Sequence, residues 1–284
     1  MRNDYRPVVM KPYRASRVGA TLYLRDLKAK LFSPFPYLLL ALICLLSTYF
    51  LGNLLKVISS LSVMVSADPF QIPLFFSVIA IALYLGVTSS TSISHEREQR
   101  TLEVLFFGPV TAEVRILALF FRDISVFLIS VAFFLVHALV YSLATNLSLG
   151  VLSLRTAALS LPLVCPMVGL SLLLSASCRR ARTSVLLFVC LFVLLAGLQL
   201  ASMVLASIPA ESISLFVLYL RRALAVFLDW ILWISPFSYI SRIGGMLETG
   251  ASRPMGWTVL AALTYTAGLL AAARLVLSKR GKSV

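Results

Sequence analysis

Residues 73–110 read PLFFSVIAIALYLGVTSSTSISHEREQRTLEVLFFGPV. The first part, Pro73–Ile93, holds no Asp, Glu, Lys or Arg. It is about the 20 residues that an α-helix needs to cross a bilayer core roughly 30 Å thick. Then Glu96, Arg97, Glu98 and Arg100 fall within five positions. A greasy run that ends in dense charge reads as a membrane span leaving the bilayer, and it sets the frame for the rest of the chain.

The whole chain fits that frame. Of its 284 residues, 60% are hydrophobic and 13% charged, against roughly 45–50% and about 25% in soluble domains. In lipid every backbone amide must be satisfied within the protein, so spans are helices or a closed barrel. Unbroken apolar runs without alternation select helices. Six such runs are expected: Tyr37–Leu55, Pro73–Ile93, Ile124–Leu143, Ala157–Ala176, Val185–Ala206 and Trp257–Leu277. The fold class is therefore an all-α integral membrane protein with six transmembrane helices. Residues 1–34 form a cytoplasmic N-terminal segment, and residues 35–284 one transmembrane domain.

The net charge of +14 is read as topology rather than as a nucleic-acid surface. Lys and Arg collect on the cytoplasmic side of membrane proteins. Nineteen of the 25 lie in the N-terminal segment, the loops after the second and fourth runs, and the end of the sixth run with the C-terminal tail. Both termini and the Ser92–Val110 stretch are thus expected in the cytoplasm. No cleavable signal peptide is expected, because the first apolar run is span-length and no small-residue cleavage site follows it.

Ahead of the first span, Ala20, Leu24, Leu27 and Leu31 recur at helical spacing, with Arg17, Arg25 and Lys28 off that stripe. The pattern predicts an amphipathic interfacial helix on an anionic membrane surface. Pro34 and Pro36 then break it from the first span. Pro162 and Pro166 predict a kink in the fourth span. Between spans five and six, Glu211–Ser252 is apolar but carries Arg221, Arg222 and Asp229. A charge at mid-bilayer costs at least about 2.5–3.5 kcal/mol, so re-entrant helices are expected there rather than a seventh span.

Catalytic chemistry is not legible. His95 and His137 are the only histidines, they belong to different elements, and no nucleophile–base set forms around them. Cys44, Cys165, Cys178 and Cys190 have no metal-ligand spacing and read as small apolar packing residues. The tail sequence RGKS lacks the first glycine of a phosphate-binding loop, Val276 standing in its place. The chain is read as a non-enzyme without its own cofactor. Arg122 and Asp123 read as an interfacial pair marking the start of span three, and His137 as the one ionisable group near a midplane.

The charged stretch itself reads as a short helix on which Glu98, Leu102 and Leu105 share a face and Glu96 pairs with Arg100. Gly108 and Pro109 end it. Thr111 caps the next helix, with Glu113 in its first turn. A charged and apolar helix held between two spans suits docking into a protein groove.

EREQRTLEVLFFGPV (Glu96–Val110) resembles the E-R-E-x-G-T-L-E-x-L-L-x-x-P-V signature of ABC type 2 exporter permeases. LRDLKAKLFSPFPYLLLAL (Leu24–Leu42) and ISPFSYISRIGGMLETG (Ile234–Gly250), with Pro236, are similar to the start and the pre-final segment of its gliding-motility and copper-processing branch. The resemblance implies the permease subunit of an ATP-driven exporter in a bacterial cytoplasmic membrane. It implies a second protomer (homodimer or paralogous heterodimer) and separate cytoplasmic ATPase subunits that hold ATP and Mg. The helix after span two would be the coupling helix, with Glu96, Arg97, Glu98, Thr101, Leu102, Glu103, Leu105 and Pro109 in it. Arg100 departs from the family pattern, standing where glycine is usual. Two other readings are a haem-exporter-type permease and, in a different class, a membrane scaffold or assembly factor without transport.

Overall fold

A computed structural model describes residues 12–61, 68–102, 110–207, 219, 222, 226 and 252–281. Glu103, Leu105, Pro109, Arg221, Asp229 and Pro236 lie outside the described residues, as does nearly all of the expected re-entrant segment. Of the charged residues expected there, Arg222 is described, helical and exposed.

The described residues form seven helices and no strand: α1 (Pro12–Leu31), α2 (Pro34–Leu61), α3 (Gln71–Glu98), α4 (Ala112–Thr145), α5 (Val151–Ser177), α6 (Ala181–Ser207) and α7 (Ser252–Gly281). Six of them, α2 to α7, are long and apolar enough to cross a membrane. Each contains one of the expected spans. The chain is a multi-pass helical membrane protein.

Local signals account for the boundaries. Pro34 opens α2 at the first helical position, where its missing N–H costs nothing, with two residues between it and the end of α1 at Leu31. Thr111 caps α4 by accepting a hydrogen bond from the Val114 N–H at 3.3 Å, with Glu113 in the first turn, as its sequence implied. Asn146, in the left-handed region, ends α4. Pro162 and Pro166 both lie inside α5, which continues through them.

The 34 residues of α4 extend about 51 Å at 1.5 Å per residue. That exceeds a bilayer core by several turns, so α4 projects beyond the apolar layer.

The core is built around α3 and α5, which run parallel. At one end Asp68 accepts hydrogen bonds from the Phe70 N–H (3.2 Å) and, across the interface, from the Ser153 N–H (2.9 Å). At the other end Ser175 of α5 accepts from the Ile93 and Ser94 N–H groups of α3 at 2.9 and 3.0 Å. Small residues allow the close approach that drives helix packing in lipid: Ser89, Ser90 and Ser94 on α3 and Ser171, Ser175 and Ala176 on α5 are all buried. Gly86 makes room for α6, since a Cβ there would stand 2.3 Å from the Phe188 ring. Leu85, Phe127, Phe134, Val164, Val168 and Leu172 fill the space between α3, α4 and α5.

α1 packs along the first half of α4, with only Leu27 and Leu31 of its apolar stripe against the core. Leu22 is buried, and Tyr23, Asp26, Leu27 and Lys30 are partly so, whereas Ala20 and Leu24 are exposed. The face against α4 is anchored by polar side chains.

Candidate functional site: the charged end of the bundle

The C-termini of α3, α5 and α7 and the N-termini of α2, α4 and α6 meet at one end of the bundle. The charged residues of α3 hold that end together. Glu96 takes a two-toothed ion pair from Arg115 of α4. Arg97 donates to the carbonyls of Ala176 (3.2 Å) and Cys178 (3.0 Å), satisfying the end of α5. Glu98 accepts the Ala181 N–H at 3.2 Å, at the first turn of α6. Three successive residues thus clamp three other helices. On the surface, Arg274 of α7 reaches Glu113 at 3.0 Å.

These contacts revise the expected geometry. α3 runs unbroken from the apolar span through Glu98, so the charged stretch begins as the last turns of the span itself. Gln99 closes the helix, with its N–H on the His95 carbonyl, and Arg100 follows at φ 58°. Thr101 donates back to the Glu96 carbonyl at 3.0 Å. Thr101 and Leu102 are helical again, and Leu102 is buried. The break separates Glu98 from the face that Leu102 starts. Glu96 pairs with Arg115 and not with Arg100. The left-handed region is the one that only glycine enters freely, so the backbone at Arg100 has a conformation that glycine would favour.

Arg115 and Asp123 are each the centre of an ion triad. Arg115, 2% exposed, sits between Glu96 of α3 and Asp26 of α1. Asp123, fully buried, sits between Lys30 of α1 at 2.7 Å and Arg122 at 2.8 Å. Ser89 also donates to Asp123, Lys30 also reaches Thr88 at 2.9 Å, and Arg122 reaches Ser92 at 3.0 Å. Burial pulls the Lys30 ammonium below its ordinary pKa, and the Asp123 carboxylate opposes that shift. The Arg122–Asp123 pair, expected as an interfacial mark at the start of span three, is also part of a buried network that fastens α1 to α3 and α4. Tyr23 adds a 2.7 Å hydrogen bond to Ser125.

The remaining expected residues separate. Arg17, Leu24, Arg25 and Lys28 lie on the exposed side of α1, Arg25 beside Asp26 at 3.1 Å, while Leu27 and Leu31 pack partly against the core. His137 lies far along α4, 3.3 Å from Thr48 and between the Phe134 and Tyr141 rings. No cluster of three or more His, Cys, Asp or Glu able to hold a metal occurs among the described residues.

No protein-family model and no curated protein matches the chain. The charged end therefore has to be read from its own chemistry. Asp26, Lys30 and Arg115 are invisible to an apolar-periodicity reading. The signal for them is a spacing of charges: Asp26 and Lys30 are four apart on α1, and Arg115 and Arg122 seven apart on α4, so each pair falls on one helical face.

Proposed function

We propose that the chain is the membrane subunit of an ATP-driven exporter of the ABC type 2 class, acting as a dimer with separate cytoplasmic ATPase subunits. The observation that carries this reading is the clamp of Glu96, Arg97 and Glu98 onto α4, α5 and α6. The segment that follows them, 99–111, joins α3 to α4. A push on it from a soluble partner would enter four membrane helices at once, and α1 through Asp26. That is what a coupling element requires: a docking surface outside the apolar layer, joined without slack to the helices that must move.

The division of labour follows. Glu96, Arg97 and Glu98 transmit. Gln99, Arg100 and Thr101, which are exposed, and the residues after Leu102 dock. The partner supplies ATP binding and Mg, and its nucleotide must bind the two transport states with different affinity, because equal affinity shifts nothing. The membrane is the bacterial cytoplasmic one, with both termini inside, in keeping with the Lys and Arg distribution.

The test is purification of the tagged chain from its native cells in mild detergent, followed by an ATP hydrolysis assay. A co-purifying ATPase is the expected result. Recovery of the folded chain without one, across several detergents, would turn the assignment toward a scaffold.

A further inference from the structure

A cavity of about 570 Å³ opens between the end of α1, the α1–α2 turn, α3 and α4, and every member of the two ion triads but Asp123 lines it. Their formal charges differ in sign. Lys30, Arg122 and Asp123 carry +1 together, and Arg115, Asp26 and Glu96 carry −1. Burial sharpens the difference. The Asp123 side chain is 0% exposed behind Lys30 (10%) and Arg122 (11%). Arg115 is 3% exposed behind Asp26 (12%) and Glu96 (17%). The cavity therefore meets cationic nitrogens at one pole and carboxylate oxygens at the other.

The poles are ordered along the membrane normal. From Arg115 to Arg122 on α4, and from Glu96 to Ser89 on α3, is seven residues, or about 10.5 Å of helix. Both steps lead from the charged end toward the apolar middle, so the cationic pole lies deeper. Thr88 and Ser92, beside it, add hydroxyls. At the cavity mouth stands Phe35, 68% exposed, and Leu38 and Leu42 continue its stripe along α2, also exposed.

We propose that this cavity binds the headgroup of a phosphoethanolamine lipid. The phosphate meets Lys30 and Arg122, the ammonium meets Asp26 and Glu96, and the acyl chains leave past Phe35 along α2. A bilayer phospholipid presents its groups in that order: chains, then phosphate, then amine outermost. A hydrogen bond of about 3 Å at each end plus the two-carbon spacer reaches across the poles. Phosphocholine is disfavoured, because a quaternary ammonium has no N–H to give and is held by aromatic faces. The lining aromatics, Phe35 and Tyr84, stand instead at the mouth and beside Lys30. A glycerol headgroup brings no ammonium to the outer carboxylates, whose one cation, Arg115, leaves the triad at −1. This site needs no ATPase and stands independently of the exporter reading.

The test is native mass spectrometry of the purified full-length chain, with phosphatidylethanolamine, phosphatidylcholine and phosphatidylglycerol of identical chains added in equal amounts. Loss of the charge-assisted contacts at one pole should disfavour each competitor by about tenfold. Ala29→Phe fills the cavity from α1 without replacing a member of either triad, and Thr91→Phe fills it from α3. Each folded variant, checked by its melting temperature, should lose the preference. Equal retention of the three lipids by the wild-type chain would overturn the proposal, whatever the variants do. So would a preference that survives both fillings. Displacement of the lipid by an equal concentration of soluble phosphoethanolamine would overturn the lipid assignment in favour of a small zwitterion.

Discussion

Arg115 and Asp123 lie two turns apart on α4, and each is the most buried member of a three-charge cluster in which the other two members carry the opposite sign. The arrangement is economical in desolvation terms. A buried charge is tolerable only with good pairing and full hydrogen bonding, and each central group here has two partners from different elements. The triads hold α1, α3 and α4 in one register.

Removal of the centre should therefore cost more than removal of a partner. Asp123→Asn leaves Lys30 and Arg122 buried together without an anion, and a loss of about 3–5 kcal/mol is expected. Lys30→Met with Asp123→Asn removes charges of both signs and should recover part of it. Denaturation in detergent, followed by helical circular dichroism, checks both. A single Asp123→Asn chain that melts with the wild type would contradict the network.

At Arg100 the expected effect has the opposite sign. The residue holds φ 58°, a conformation costing L-residues roughly 1–2 kcal/mol. Arg100→Gly should stabilise the α3 terminus by up to about 1 kcal/mol, and Arg100→Val should destabilise it. Slower amide exchange at residues 98–102 in the glycine variant is the readout; unchanged exchange in both variants would show the turn to be unstrained.

Gly86→Ala would set a methyl group against the Phe188 ring of α6. Overpacking of this kind costs about 1–3 kcal/mol. The second change Phe188→Leu should relieve it, because the clash is with the tip of the ring. Melting of the single and double variants decides; failure of the rescue would move the constraint elsewhere.

Arg274 near the end of α7 meets Glu113 at the start of α4, and α1 binds the same end of the bundle. Reporters fused before Met1 and after Val284 should thus both report the cytoplasm. A periplasmic signal at the C-terminus alone would mean that residues 208–251 contain one further crossing.

Much of this architecture is legible in the sequence, for physical reasons. Hydropathy locates the helices α2 to α7 because a span must be apolar over a length that the bilayer sets. Pro34, Thr111 and Glu113 mark helix starts through local chemistry, which needs no knowledge of the fold. The protein-facing side of α1 is not legible: Leu27 and Leu31 of the apolar stripe pack on the core, while Ala20 and Leu24 stay exposed. Its docking face depends on Asp26 and Lys30, whose burial makes sense only once Arg115 and Asp123 stand opposite. Arg97 and Glu98 look like docking charges in the sequence because helix ends, their actual partners, cannot be located before the bundle is assembled.

The central claim is that force enters through the segment after Glu98. The most direct measurement is the ATP hydrolysis rate of the complex purified from native cells, for the wild type and for Arg100→Glu with Glu103→Lys. Glu98 is left alone, because its reversal would also unfasten α6. An ATPase that co-purifies with the wild type, and is lost or decoupled in a double variant of unchanged melting temperature, is the expected result. Undiminished association and hydrolysis in that variant would contradict the coupling role of this end.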